Sequence, residues 1–412
     1  FGGRDEVRSF ISYTLGSKLE DLTLLGSAST AGYGNASNNK LDGAQSTGAN
    51  TLYGGAGNDT YRIGGGDVVS ETAGNGYDQV EITANAFVGG VVNLSAQVVG
   101  EVEEYFVQKD LGGGFHIIGT SASEKIRYNA FKYGPFLSYM DGGHVNGGDG
   151  NDFIVGDNGW DTLEGDAGND TLEGGASDDT LDGGAGNDVL DGGTGNDLYL
   201  YGMGGGHDVI AEAVGTPHST EKMNVLRFKP GIVASNVTVS RSGSDVVLTL
   251  SASESVTIAG FFAGSDPTAA NNPVQRVEFA DGTAWTLGAI RRMADPSIID
   301  VAPTVALPRE DEVITEGRWG WSFGIPQGTF ADANPGDVFT YTAALADGSP
   351  LPSWLTFTPG TYPAFYAATP PAGELNIRIT ATDESGLSAS DVFKFIVSIT
   401  DDVVHGTWQS ES

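Results

Sequence analysis

Asp152, Asp161, Asp170, Asp179, Asp188 and Asp197 return every nine residues between Gly147 and Leu200. The stretch reads GGDGNDFIV, GDNGWDTLE, GDAGNDTLE, GGASDDTLD, GGAGNDVLD and GGTGNDLYL. The aspartate stands at the sixth place, and Ile154, Leu163, Leu172, Leu181, Leu190 or Tyr199 at the eighth. A further copy, GGAGNDTYR from Gly54 to Arg62, puts Asp59 at the same place. Carboxylates that recur in phase can bind cations one after another. Their partners would be carbonyl oxygens of the glycine-rich turns, and flexible cages of about six to eight oxygens suit calcium better than magnesium.

Such a site needs an element that repeats as its ligands do. A fixed period marks a stack in which each unit packs on its neighbours. Glycines at the first, and mostly the second and fourth, places allow tight turns, leaving three residues for a short strand whose central side chain points inward. One apolar side chain in nine residues is little to hold a glycine-rich polyanion together, so ion binding is expected to take part in folding. If two units make one turn, an aspartate lies beside that of the unit two further on, and an ion between them joins successive turns. Asp157 and Asp166 replace the second glycine in two units; the spacing reads them as solvated, with extra ligands as the alternative.

This pattern resembles the calcium-binding nonapeptide of RTX (repeats-in-toxin) proteins. The resemblance implies a parallel β-roll, with calcium as the cofactor. It also implies a protein that leaves a Gram-negative bacterium unfolded through a type I system and folds outside the cell.

Composition agrees with a cation partner. The 412 residues include 62 glycines and no cysteine, and 54 acidic against 20 basic residues give a formal charge of −34. That balance argues against nucleic acid or an anionic membrane surface as partner. Without cysteine there is neither a disulfide framework nor a thiolate metal site. No apolar run approaches the roughly 20 residues of a membrane span. The chain starts at Phe1 inside what reads as a repeat, so a fragment of a larger protein is expected.

Residues 1–145 are expected to hold irregular solenoid coils around the lone copy at Asp59, and 146–215 to form the calcium roll. Tyr61 and Tyr199 replace the aliphatic eighth residue and are expected to close their coils. Residues 216–295 alternate as ordinary strands and resemble the β-rich region that caps RTX rolls. Residues 300–402 suit a β-sandwich, and 403–412 form a tail. Within that sandwich, FADANPGDVFTYTAALADGSPLPSWLTFTP from Phe330 and ITATDESGLSASDVFKFIVSI from Ile379 resemble dystroglycan-type cadherin-like or immunoglobulin-like domains of bacterial surface proteins. The resemblance places Asp332, Asn334, Asp337 and Asp383 where cadherin-like modules carry calcium ligands at a domain edge; acidic turn residues of any sandwich are the equal alternative. Trp319, Trp321 and Trp354 are expected in the sandwich core. Trp160, at the fifth place of its unit, is expected to pack on the neighbouring coil, an exposed platform for a sugar or partner being the alternative.

Signs of catalysis are missing. The chain lacks HExxH, a GxSxG elbow and a phosphate-binding GxxxxGK[ST] sequence, and His116, His144, His207, His218 and His405 show no zinc-site spacing. The expectation is an all-β chain: a parallel β-roll or β-solenoid with calcium-binding nonapeptides, a β-rich cap and a β-sandwich. Its expected role is a structural or adhesive segment, not an enzyme, of a large secreted surface protein. Calcium ions, neighbouring domains or subunits of that protein, and a cell-surface or glycan ligand are the partners considered. The rival roles are the carboxy-terminal calcium and secretion module of an extracellular hydrolase, and a self-assembling S-layer or filament subunit.

Overall fold

A computed structural model describes residues 3–398, apart from 73–75, 84–85, 87–90, 101, 109–115, 121–124, 130–141, 157, 213–222, 264–271, 316–319 and 335–336. The readings that concern Asp157, Trp319, His218, His405 and the tail at 403–412 lie outside the described residues. The chain divides into two compact units, Phe1–Trp285 and Thr286–Ser412.

In the first unit, two nine-residue repeats make one turn. On one side Ile154 lies in register with Leu172, Leu172 with Leu190 and Leu190 with Ile210. On the other side the column runs Val145, Leu163, Leu181, Tyr199 and Leu226. All these strands are parallel, and every eighth-place side chain is buried. Alternation does this: the residues on either side of each inward one face out, so a three-residue strand contributes one side chain to the core.

The stack is longer than the nonapeptides. One fourteen-stranded sheet begins at Glu6–Ser9, passes through Asp21–Leu24, Lys40–Asp42, Thr60–Ile63, Gln79–Ile82, Glu104–Gln108 and Lys125–Asn129, and continues through the repeats. It ends in antiparallel strands at Thr238–Ser242, Asp245–Ser251 and Glu254–Ile258. A five-stranded and then a nine-stranded sheet form the opposite wall. Tyr61 and Tyr199 therefore do not close the coil. Tyr61 pairs onward with Val80 and Tyr199 with Leu226, because each phenol oxygen finds a partner inside: Tyr61 bonds Glu71, and Tyr199 accepts from the Gly192 N–H at 3.0 Å.

Turn-to-turn approach explains the fourth-place glycines. Gly168 has φ 147°, and a Cβ there would fall on the Gly150 carbonyl oxygen; Gly186 meets Gly168 in the same way. Asp166 (φ 71°) and Ser177 (φ 84°) are the two described non-glycine residues with left-handed backbone. Each is compensated by the preceding turn. Asp166 is exposed and accepts from Asn146 Nδ2 at 2.7 Å, and Ser177 Oγ donates to the Asn158 carbonyl at 2.8 Å.

The second unit opens with the helix Leu287–Ala294, capped by Thr286. A four-stranded sheet, in the order Glu312–Thr315, Ser388–Ser398, Gly373–Thr382 and Thr340–Leu345, faces a three-stranded sheet of Trp321–Gly324, Ala364–Ala367 and Leu355–Thr358. Phe323, Phe365, Phe393 and Phe395 fill the space between them, with Trp321 and Trp354 packed against that core.

Candidate metal centre

Each sixth-place aspartate sits where a short strand begins, at the corner of the coil, and is almost wholly buried: Asp59, Asp152, Asp161, Asp170, Asp179, Asp188 and Asp197 are all 3 % exposed or less. One carboxylate oxygen has a fixed task. The backbone N–H of Asp152 donates to Asp170 Oδ1 at 2.7 Å, Asp170 donates to Asp188 at 2.8 Å, and Asp188 to Asp208 at 3.1 Å. The opposite corner repeats this from Asp161 to Asp179 (2.7 Å), Asp179 to Asp197 (3.1 Å) and Asp197 to Asn224 (2.7 Å). In the amino-terminal coils Asn39 donates to Asp59, Asp59 to Asp78, and Asn50 to Asp67. These are ladders of carboxylates, one rung per turn.

The second oxygen is different. Oδ2 of Asp59, Asp170 and Asp188 is buried with no hydrogen-bond partner, and among the described residues no lysine or arginine pairs with these three. Beside Asp170 Oδ2 lies the Gly183 carbonyl of the next turn, and a Cβ on Gly165 would fall on both oxygens. First-place glycine thus leaves room where two oxygens converge. Burial makes the charges costly. Desolvation pushes Asp188 up to about 6, Asp59 to about 7 and Asp208 to about 8, with the carboxylates of neighbouring rungs adding to the effect. Buried, unmatched carboxylate oxygens beside carbonyls are a hard-cation donor set and fit calcium. Among the described residues no three acidic or histidine side chains gather round one point, so an ion here would draw on main-chain carbonyls as well as aspartates.

The family described as "RTX calcium-binding nonapeptide repeat (4 copies)" matches residues 33–68, 143–172 and 164–199. The chain carries RTX repeats. Residues 245–288 match the "Haemolysin-type calcium binding protein related domain", and 319–398 the "Putative Ig domain". These RTX repeats imply calcium binding, and repeats of this kind are typical of extracellular proteins. No curated protein matches the chain. None of the matched descriptions names a reaction, and among the described residues no helix is long and apolar enough to cross a membrane.

The RTX match at 33–68 reaches well beyond the lone copy at Asp59. Sequence reading took the coils around it as irregular; they carry Asn39, Asn50 and Asp67 at ladder positions, each two residues before a buried Leu41, Leu52 or Val69. Asp78 and Asp208 are further rungs that it missed, and the signal is the same, a buried Val80 or Ile210 two residues on. It also missed an outer ladder at the fifth place. The N–H of Asn169 donates to Asn151 Oδ1, Asn187 to Asn169, His207 to Asn187 and Asn196 to Asp178, at 2.7–2.8 Å. Trp160 occupies a fifth place and is 54 % exposed, contrary to the packing expected for it. That place faces outward, where its neighbours bond from turn to turn.

In the second unit the four sequence-predicted residues have separate commitments. Asp337 receives Arg292 Nη1 on both oxygens, at 2.5 and 2.7 Å, with Asp300 and Glu384 also facing that guanidinium. Asn334 accepts from the Val301 N–H and donates to the Ile299 carbonyl. Asp332 Oδ1 accepts from the Asn334 N–H, and Asp383 Oδ1 from the Ser385 and Leu387 N–H groups. Oδ2 of both Asp332 and Asp383 is buried without a partner.

Proposed function

We propose that Asp59, Asp152, Asp161, Asp170, Asp179, Asp188 and Asp197 hold calcium between successive turns, and that Asp78 and Asp208 extend the same array; Asp67, whose Oδ2 accepts from the Gly64 N–H at 2.7 Å, is a rung already satisfied within the chain. The observation that carries this is the ladder of buried carboxylates whose Oδ1 is fixed and whose Oδ2, at Asp59, Asp170 and Asp188, has no partner. Leaving such an oxygen charged and dry costs several kcal/mol or more per ion; a cation removes that cost and the repulsion between rungs. Folding and ion binding are then one equilibrium.

On this reading the chain is a calcium-dependent structural or adhesive segment of a large secreted bacterial surface protein. A long stack followed by a sandwich unit supports it, since both present surface rather than a reaction centre. Asp332, Asn334, Asp337 and Asp383 stay a second proposed calcium group, in which Arg292 competes for Asp337.

The test is a calcium titration of the full chain, with magnesium as control, followed by far-UV circular dichroism and sedimentation velocity. Cooperative gain of β-structure and a falling frictional ratio with calcium alone are expected. A chain equally folded in chelator would overturn the proposal.

A further inference from the structure

Not every rung is a carboxylate. Asn39, Asn50 and Asn224 stand two residues before the buried Leu41, Leu52 and Leu226, and are themselves 1 % exposed or less. They belong to the ladders. The Asn50 N–H donates to Asp67 Oδ1 at 2.8 Å, Asn50 Oδ1 accepts from the Thr30 N–H one turn earlier, and Asn224 Oδ1 accepts from the Asp197 N–H.

The second side-chain atom behaves in the opposite way to aspartate Oδ2. Asn39 Nδ2 donates to the Glu20 carbonyl at 3.2 Å and Asn50 Nδ2 to the Gly48 carbonyl at 2.9 Å. Asn224 Nδ2 donates to the Pro273 carbonyl at 3.0 Å. Turning any of these amides over would set oxygen against oxygen, so the network fixes their orientation. Where an aspartate rung leaves an oxygen beside a carbonyl with nothing positive between them, an asparagine rung brings its own donor to the carbonyl.

We infer that the choice of aspartate or asparagine at the sixth place decides which turns take a calcium ion, and that Asn39, Asn50 and Asn224 hold their turns by an amide in place of an ion. This rests on the calcium reading of the aspartate rungs. Asn39 and Asn50 come directly before Asp59 and Asp67 on their ladders, and Asn224 directly after Asp197. The Asp59 ladder thus starts, and the Asp161–Asp197 ladder stops, on a turn satisfied without calcium, from which ion-dependent turns can be templated.

The experiment counts bound calcium on the full chain by equilibrium dialysis and records melting in chelator and in calcium for the natural protein, Asn50→Asp, Asn224→Asp and Asp170→Asn. Each asparagine-to-aspartate change should add one bound ion, lower the melting temperature in chelator and recover it in calcium. Asp170→Asn should lose one ion yet melt no lower than the natural protein in chelator, since its new amide can donate to the Gly183 carbonyl. Unchanged ion counts in Asn50→Asp and Asn224→Asp, failure of both to fold in calcium, or an Asp170→Asn chain weakened equally in both conditions overturns the inference. A natural chain that binds no calcium sinks the underlying reading instead.

Discussion

The two units solve the problem of buried acid in different ways. In the sandwich unit several carboxylates meet arginine, although Oδ2 of Asp332 and of Asp383 stays buried without a partner. Arg292 lies between Asp337, Asp300 and Glu384, while Arg309 pairs with Glu312 at 2.7 Å and stacks over Phe323 and Phe393. In the solenoid Glu104 meets Lys125 and Arg127, but Asp59, Asp170 and Asp188 are deeply buried with no lysine or arginine paired to them among the described residues. The cores differ in the same sense. Phe323 lies 5.0 Å from Phe365 and 5.3 Å from Phe395, centroid to centroid, in one interlocked cluster, whereas most three-residue strands of the nonapeptide roll bury a single aliphatic side chain. A unit with its own cations and a concentrated core carries its stability within the chain. At Asp59, Asp170 and Asp188, where no such cation stands among the described residues, stability would come partly from the medium.

The largest effect should come from removing that external part. Chelation is expected to melt the calcium-bearing turns of Phe1–Trp285 while Thr286–Ser398 keeps its fold. Hydrogen exchange with and without chelator would read this: protection lost at Leu172 and Leu190 but kept at Phe393 and Phe395. Equal loss in both units would break the comparison. Next in size, Phe365→Ala should cost about 3–5 kcal/mol in the sandwich through the cavity it leaves. Calcium bound by the solenoid aspartates, followed by dialysis, should not change. A fall larger than the loss of the ions proposed for Asp332, Asn334, Asp337 and Asp383 would show that the two units are not independent.

How much of this could be read from the chain follows from what nine-residue counting can see. Asp152 to Asp197 keep strict phase, so the ladder, the buried column and the calcium chemistry were all legible. Around Asp59 the phase slips. Asn39 lies twenty residues before Asp59, Asp59 nineteen before Asp78, and Asn50 seventeen before Asp67. Turns absorb insertions, while the hydrogen bond between rungs requires only that one full turn separate them. Counting units therefore fails where counting turns succeeds. The amides hid a second time, because Asn39 and Asn50 do not look like ligands; their burial makes them rungs. Tyr61 and Tyr199 misled for another reason, since their size suggested an end while their hydroxyls are bonded internally.

A pH series sharpens the contrast further. Burial holds Asp59, Asp188 and Asp208 at about 7, 6 and 8 in the ion-free fold, against an ordinary value of 3.8. Groups raised in the folded state bind protons more readily there than when unfolded. Their contribution is fully present below about pH 4 and is lost as pH rises towards 8. In chelator the solenoid should thus melt at a higher temperature at pH 5 than at pH 8. Calcium reverses the order, because the ion displaces those protons. Asp208→Asn should flatten the slope in chelator. A chelated solenoid that gains stability with rising pH would contradict the burial argument, and the sandwich, where Arg292 meets Asp337, should show a weaker dependence.

The smallest effect concerns the additivity of the stack. A quasi-one-dimensional unit gains stability turn by turn, so a single repaired rung should act locally. Trp160 interrupts the outer ladder: Asn151 offers its side-chain oxygen to the Asn169 N–H, and the corresponding acceptor for Asp178 would come from position 160. Trp160→Asn supplies it and removes a largely exposed indole. One exposed hydrogen bond contributes about 0.5–1.5 kcal/mol. The variant should therefore melt slightly higher in calcium, with greater amide protection at Asp178 and no change at residues of the sandwich. Destabilisation would mean that the indole holds its turn in place, and that the outer ladder does not add up rung by rung as the inner one is argued to do.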